Sequence, residues 1–84
     1  MSDGTAEKRL DTFGLLCPMP IIKLAERMRG MDPGAVLEIL SDDPGIVPDL
    51  PAWCESHGHT MVSLEETAPG EFRGRVRKRQ EKKK

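Results

Sequence analysis

Two prolines open the most regular helical pattern in the sequence. Apolar residues follow Pro18 and Pro20 at the spacing of one helix face: Ile21, Leu24, Ala25 and Met28. A proline is tolerated in the first turn of a helix, because its missing N–H would have no partner there. The pattern therefore predicts a helix over residues 18–29, with Pro18 at its first position and Cys17 as its N-cap.

Helix and strand signals alternate along the rest of the chain. Gly30 is expected to stop the first helix in the left-handed conformation, with Met31 folded back on its last turn. Gly14 and Pro33-Gly34 are turn signals between segments. In chain order, the predicted elements are a strand at 7–13, the helix at 18–29, a strand at 35–40, a helix at 49–57, and strands at 60–66 and 71–79.

Pro48 and Pro51 make the second helix the least regular element. A regular helix through both prolines is not expected, since each removes a backbone donor. Residues 44–48 are therefore predicted as a turn before the helix, with one kinked helical unit as the alternative. The side chains that can cap its start are those of Ser41, Asp42 and Asp43.

The order β-α-β-α-β-β predicts an α/β (α+β) domain built as a two-layer sandwich. Two helices would cover one face of a four-stranded mixed sheet, whose strand order stays open. The 84 residues suffice for a single domain, placed at residues 7–79, between disordered ends at 1–6 and 80–84. Aromatic residues make up only 4 % of the chain, so the core must be aliphatic and thin, with little capacity for an enclosed substrate cavity.

The charges divide the chain into an acidic body and a basic end. Residues 1–72 carry 13 acidic and 5 basic side chains, a net charge of −8, whereas residues 73–84 carry 8 basic and 1 acidic, a net charge of +7. Alternation in the last strand places Arg73, Arg75 and Arg77, here called the basic ridge, on one face. The ridge is expected to dock an acidic partner surface, with a solvated sheet face as the simpler alternative. Nucleic acid is not an expected partner, because few aromatic residues are present to stack bases.

The sequence contains no membrane-spanning or export signal. No segment has the about 18 consecutive apolar residues of a membrane span, and the polar start lacks the apolar core of a signal peptide. A cytoplasmic location without membrane insertion is therefore expected. Thiols stay reduced there, so Cys17 and Cys54 are interpreted as free thiols, with one Cys17–Cys54 disulfide as the alternative.

Cys17 is the residue best placed for chemistry. A helix N-terminus brings unpaired N–H groups and the positive end of the macrodipole close to the sulfur. Such surroundings lower a cysteine pKa from about 8.5 into the range of about 3.5–7.5, which favours the reactive thiolate. The alternative is a small apolar residue packed behind the helix start. Because the chain has no Cys-x-x-Cys pair, a single thiol that carries a group fits better than dithiol exchange.

Cys54, His57 and His59 are possible metal ligands, but their spacing matches no common zinc motif well. The simpler interpretation has Cys54 packed under the helix beside Trp53, and both histidines in water around Gly58. We therefore expect no metal and no cofactor.

A set of segments forms a larger pattern around Cys17. They are Leu10-Asp11, Gly14 to Pro20, Ser41 to Pro44, Asp49 to Cys54, and His57 to His59. Together they resemble the TusA/SirA-like sulfur-carrier proteins over about residues 8–78. The specific part is Cys17-Pro18-Met19-Pro20 after a short strand and a glycine. The resemblance implies the same β-α-β-α-β-β sandwich.

The resemblance also implies that Cys17 holds sulfane sulfur as a persulfide. A protein donor (a cysteine desulfurase or another persulfide donor) would load it. A protein acceptor would receive the sulfur in tRNA thiolation, molybdenum-cofactor formation or sulfur oxidation. Supporting roles in the loop and at caps fall to Pro18, Pro20, Asp11, Asp42, Asp43 and Asp49. Leu16 stands where many relatives have a basic residue, which implies a drier docking surface there.

Two functions are therefore kept. The first is a monomeric persulfide carrier of the sulfurtransferase type. The alternative is a regulatory or nucleic-acid-interacting module that uses the basic C-terminal hairpin without covalent chemistry.

Overall fold

The computed structural model describes residues 8–16 and 18–79, and within them the order β-α-β-α-β-β is confirmed. The elements are β1 (Lys8–Asp11), α1 (Met19–Arg29), β2 (Val36–Ser41), α2 (Ile46–His57), β3 (Thr60–Ala68) and β4 (Glu71–Arg77). The ends predicted to be disordered, 1–6 and 80–84, lie outside the described residues, as do Glu7 and Cys17. In the ranges that are described, no helix is long and apolar enough to cross a membrane.

The four strands form one mixed sheet in the order β1-β2-β4-β3. β1 runs parallel to β2, with α1 as the crossover that returns the chain to the starting end of the sheet. β4 is antiparallel to both of its neighbours, and the β3–β4 hairpin turns at Gly70, whose φ of +78° favours glycine. The expected two-layer sandwich with a mixed sheet is thus confirmed.

The core lies between the two helices and one face of the sheet. Its buried apolar residues are Leu24, Met28, Met31, Leu37, Ile39, Ile46, Leu50, Cys54, Phe72 and Val76. Phe72 is the only aromatic member of this cluster, which confirms the aliphatic core expected from composition. In β4 the buried residues alternate with the arginines of the basic ridge, as the sequence pattern predicts.

Gly74 allows α2 to approach the sheet closely. It is buried in β4, opposite Ile39 in the register of β2. A Cβ added at Gly74 would lie 2.6 Å from Leu50 Cδ2 and 3.4 Å from Ile39 Cγ2. Because Leu50 has no exposed surface, its side chain has little room to withdraw. The glycine in this strand therefore serves the packing of α2.

Replacing Gly74 with valine should lower the free energy of unfolding by about 1–3 kcal/mol, the usual cost of overpacking a core. The added side chain would displace Leu50 and push α2 away from β4. Urea denaturation measures the change. The control is Gly30→Ala, because Gly30 has a φ of −96° and no heavy atom within 4 Å of an added Cβ. A Gly74→Val variant as stable as Gly30→Ala would show that the contact with Leu50 is not tight.

α1 ends at Arg29 as predicted, but its start and the conformation of Gly30 differ from the prediction. The helix begins at Met19 with Pro18 as its N-cap, so the prediction of Cys17 as N-cap is wrong by one residue. The reason is that the Pro18 carbonyl accepts the first helical bond, from the Ile22 N–H at 3.1 Å. Gly30, with a φ of −96°, is not left-handed, so that prediction is also wrong. Met31 does fold back into the core, as predicted.

α2 begins at Ile46, three residues before the predicted start, and it passes through both prolines. Pro48 is the third helical residue, where a backbone N–H has no helical partner. Pro51 lies inside the helix, where it removes the donor that would bond to the Val47 carbonyl. The segment is therefore one helical unit, which was the alternative interpretation, and the separate turn over residues 44–48 is wrong.

The side chains predicted to cap α2 instead accept hydrogen bonds in the turn that precedes the helix. The helix has Gly45 as N-cap and no side-chain cap hydrogen bond. Instead, Ser41 Oγ accepts the N–H of Asp43, and Asp43 Oδ1 accepts the N–H of Gly45, each at 3.1 Å. These side chains therefore shape the turn that leads into α2.

Several strand ends differ from the prediction by one or two residues. β1 ends at Asp11, because only its four residues pair with β2, up to Asp11 opposite Leu40. β2 is shifted by one residue to end at Ser41, β3 continues to Ala68, and β4 stops at Arg77.

Candidate functional site

The loop between β1 and α1, here called the Cys17 loop (residues 12–18), lies at one edge of the sheet. β1 and β2 are parallel, so both strands end at this edge, and α1 and α2 both begin there. In α/β sheets this is the edge where ligand and reaction sites gather. Cys17 itself is outside the described residues, and the loop is described on both sides of it.

Thr12 fastens the start of the Cys17 loop to β2. Its backbone N–H donates to the Leu40 carbonyl at 2.8 Å, and its Oγ1 donates to the same oxygen at 2.5 Å. Thr12 is only 1 % exposed. Its carbonyl in turn accepts the Leu15 N–H at 3.1 Å. The sequence analysis missed Thr12, because a threonine after a short strand has no distinguishing local signal.

Two of the predicted supporting carboxylates hold the same loop. Asp11 Oδ1 accepts the N–H of Phe13 at 2.9 Å. Asp42 Oδ1 accepts the N–H of Gly14 at 3.1 Å, and thus connects the end of β2 to the loop. Gly14 has a φ of +86°, which favours glycine at this point. Asp42 therefore supports the Cys17 loop directly, through the backbone of Gly14.

The other two predicted carboxylates lie at the start of α2. Asp43 bonds the backbone of Gly45, as described above. Asp49 lies in the first turn of α2, where the helix macrodipole favours a negative charge. All four acidic residues are thus near the sheet edge at which both helices begin.

The first turn of α1 has no spare backbone donor in residues 18–21. Pro18 and Pro20 carry no N–H. The N–H of Met19 donates to the Leu16 carbonyl at 2.8 Å, and the N–H of Ile21 donates to the Pro18 carbonyl at 3.1 Å. The expectation that unpaired N–H groups surround the thiol is therefore wrong for this turn. The positive end of the macrodipole remains as the helix's contribution to a nearby anion.

Exposed apolar side chains, here called the apolar rim, lie on both sides of Cys17 along the chain. Leu16 is 73 % exposed, and Phe13 and Met19 are about two-fifths exposed. Large apolar side chains in water next to a candidate reactive residue are typical of a contact surface for another protein. The exposure of Leu16 leaves it accessible to a partner, and its docking role stays a prediction.

Cys54 is a free thiol in the core. It is 2 % exposed, and burial raises its pKa to about 11. The interpretation of Cys54 as a packed, free residue is confirmed, and the Cys17–Cys54 disulfide is excluded.

The histidines of the Cys54-His57-His59 segment stack on Trp53; His57 is exposed to water as predicted, whereas His59 is half-buried. The ring centroids of His57 and His59 lie 4.7 and 5.0 Å from that of Trp53, in stacked geometry. In residues 8–16 and 18–79, no group of three or more His, Cys, Asp or Glu side chains is arranged to hold a metal ion. Cys54 is part of the buried core cluster and therefore does not share a metal site with the two histidines.

Lowering the pH should destabilise the fold through His59. Its Nδ1 accepts the N–H of Arg79 at 3.0 Å, and burial, together with the charges of Arg79, His57 and Lys78, lowers its pKa below the ordinary value. The unfolded chain then binds a proton that the folded chain resists, so stability falls as pH drops below about 6.5. NMR titration of the ring should show a midpoint below that value. Urea unfolding of His59→Gln should lose part of the pH dependence, and an unchanged slope would contradict this role.

The basic ridge carries more acidic partners than the sequence pattern shows. Arg73 Nε lies 3.4 Å from Glu38 Oε2, and Arg73 also forms an ion pair with Glu65, whose pKa it lowers by a hydrogen bond. Glu38 is nearly buried and also pairs with Arg9 Nη2 at 3.2 Å. Positive charge is therefore offset at Arg73, and the exposed part of the ridge lies toward Arg77.

The fold and this loop define a small α+β domain whose candidate chemistry lies at the end of two parallel strands. The family described as "Sulfurtransferase TusA" matches residues 8–78, so the chain belongs to that family. The structure is similar to the crystal structure of a SirA-like protein from Desulfitobacterium hafniense, with a TM-score of 0.74 and 20 % sequence identity. That match covers 86 % of this chain and 97 % of the other, and it supports the fold. Family membership supports a role as a sulfur carrier in general.

Proposed function

We propose that the protein carries sulfane sulfur as a persulfide on Cys17 and relays it between two partner proteins. The observation that carries the proposal is the contrast between the two cysteines of a TusA-family chain. Cys54 is locked in the core with a raised pKa, which leaves Cys17 as the thiol for chemistry. A reduced cytosolic compartment suits a carrier that depends on a free thiol.

The loading step is a transfer of neutral sulfur without net oxidation. The Cys17 thiolate attacks the outer sulfur of a persulfide on the donor protein, which is a cysteine desulfurase or another persulfide donor. A new bond forms between Cys17 Sγ and that sulfur, the S–S bond of the donor breaks, and the donor leaves as a thiolate. Unloading repeats the step with the acceptor thiolate as the nucleophile. Neither step needs a metal or an organic cofactor.

The hydrogen bonds of residues 12–16 support this role by holding the segment that leads to Cys17 before a partner arrives. Thr12 and Asp42 connect the loop to β2, and Pro18 and Pro20 leave α1 few alternative starts. A nucleophile on a fixed loop loses less conformational entropy on docking than one on a flexible segment. Among acceptor pathways, tRNA thiolation, molybdenum-cofactor formation and sulfur oxidation remain the candidates.

Intact mass spectrometry tests the proposal directly. The reduced protein is incubated with polysulfide, thiosulfate or a cysteine desulfurase plus cysteine. We expect a mass increase of one sulfur atom, removed by a thiol reductant and located on the peptide that contains Cys17. The absence of an adduct with all three donors would refute the persulfide role.

Reversing two charges of the basic ridge should slow sulfur exchange with a protein partner. Arg75→Glu with Arg77→Glu is expected to reduce the transfer rate several-fold at low salt, because like charges weaken electrostatic steering. The difference should shrink above about 0.15 M salt, where the Debye length is about 8 Å. The control is removal of residues 80–84, which should leave the rate unchanged. Equal transfer rates for wild type and the double variant at low salt would eliminate the ridge as a docking surface.

A further inference from the structure

An open cleft of about 570 Å³ lies at the opposite end of the molecule from the Cys17 loop. α1 and α2 both start at the Cys17 edge, and the cleft is lined by residues from the ends of both helices and from the segment after β4. Its size falls within the range of about 300–1,000 Å³ that is usual for small-molecule sites. The proposed sulfur chemistry does not use it.

The walls of the cleft carry a concentration of positive charge. Arg29, Lys78 and Arg79 line it, and no carboxylate is found among its described lining residues. This contrasts with the net charge of −8 on residues 1–72. A cleft lined by one sign of charge attracts ligands of the opposite sign.

Helix capping accounts for only part of this charge. Lys78 Nζ donates to the Met31 carbonyl at 2.8 Å, beyond the end of α1, and Arg79 Nη1 donates to the His57 carbonyl of α2 at 3.5 Å. Each helix C-terminus carries roughly half a negative charge, so two of them offset about one of the three positive charges. The two helix ends alone therefore do not offset the three cationic side chains of the cleft wall.

The other wall of the cleft is a set of stacked rings formed by Trp53, His57 and His59, here called the ring wall. The Trp53 carbonyl can only accept, so His57 Nδ1 donates to it at 3.0 Å. His59 Nδ1 accepts the Arg79 N–H, so the neutral His59 ring keeps its proton on Nε2 as a donor. Both rings are held in place by these bonds, and His57 is exposed. The wall thus places aromatic rings and a hydrogen-bond donor beside the cationic side chains of the cleft.

We propose that this cleft binds a nucleoside phosphate. The base stacks against the ring wall, and the phosphate binds Arg29 and the guanidinium of Arg79. Aromatic side chains stack on bases of any identity, and arginine is the residue that best matches a phosphate group. Binding at this end leaves the Cys17 loop accessible, so the site is separate from sulfur transfer.

The test uses Trp53, the only tryptophan in the chain, as the probe. AMP is titrated into the full-length protein at low salt while tryptophan fluorescence and the NMR signals of both histidine rings are followed. We expect saturable changes in both, with a dissociation constant below about 1 mM, or about −4 kcal/mol of binding free energy. Adenosine and inorganic phosphate are titrated separately, and each should bind at least about tenfold more weakly than AMP, since each engages one wall. No saturation by about 10 mM AMP, or phosphate binding as strongly as AMP, would overturn the proposal.

A pair of matched variants locates the site. Arg29→Ala should raise the dissociation constant of AMP about fivefold or more, whereas Arg27→Ala in the same helical turn should change it less than about twofold. Both arginines are exposed, so both variants should fold. Trp53→Leu, measured by equilibrium dialysis, should weaken binding independently of Arg29. Equal losses for Arg27→Ala and Arg29→Ala would indicate diffuse charge attraction and reject the cleft.

Discussion

Replacing Cys17 with serine abolishes sulfur loading, whereas replacing Cys54 with alanine leaves it intact: this is the largest effect that we expect. A serine hydroxyl has no sulfur to extend and cannot form a persulfide. Cys54 lies in the core with 2 % exposure, so a donor persulfide cannot reach it without unfolding α2. The measurement is the fraction of protein that gains one sulfur atom by intact mass spectrometry.

Alanine is the better replacement at Cys54, because a serine would place a hydroxyl among the apolar side chains of the core. The alanine variant should remain folded, at a cost of about 1 kcal/mol for the small cavity. Circular dichroism of both variants confirms that loading is compared between folded proteins. If loading persists in Cys17→Ser, or disappears in folded Cys54→Ala, then Cys17 is not the residue that carries the sulfur and our proposal is wrong.

The second large effect is a difference in alkylation rate between the two thiols. Burial raises the pKa of Cys54 to about 11, so its thiolate fraction at pH 7 is on the order of 100-fold below that of a cysteine with an ordinary pKa. Burial of the sulfur also blocks the reagent. We therefore expect Cys54 to react with iodoacetamide at least about 100-fold more slowly than Cys17 in the folded protein.

Each rate is measured on a protein with a single thiol, Cys17→Ser for Cys54 and Cys54→Ala for Cys17. In urea the two rates should converge, because unfolding removes the protection of Cys54. Raising the pH toward 11 should accelerate the reaction of Cys54 in the folded state. Similar rates in the absence of urea would show that Cys54 is more accessible than its position in the core allows.

The parts of the fold that could be predicted are those in which apolar residues recur at the spacing of a helix or a strand. The spacing of Leu24 and Met28 predicts α1, and the alternation of Phe72 and Val76 with arginines predicts β4. The position of Pro48 was harder to interpret, since the same proline that breaks a helix interior is harmless in its first turn. Residue propensity alone does not fix the first residue of a helix to better than a few positions.

The contacts that build the candidate site are of a different kind. Gly14 meets Asp42, and Thr12 meets Leu40, across 28 residues of sequence in each case. Such contacts depend on β1 and β2 being neighbours, and the order of strands cannot be read from the pattern of any single strand. The sequence could therefore indicate Asp42 as a residue near the thiol loop, but it could not predict which backbone group that residue holds.

The ion-pair network of Arg9, Glu38, Arg73 and Glu65 lies on the face of the sheet that the helices do not cover. Both helices lie on one face of the sheet, and within residues 8–16 and 18–79 no helix or second sheet covers the other face. The long arginine side chains lie across this face, so that Glu38 in the central strand β2 keeps only 6 % of its side-chain surface exposed. These charged side chains thus cover the backbone of the inner strands. They also make it unfavourable for the sheet of another molecule to stack on this face. A chain of this length can consequently leave one side of its sheet without helices and still avoid an adhesive apolar face.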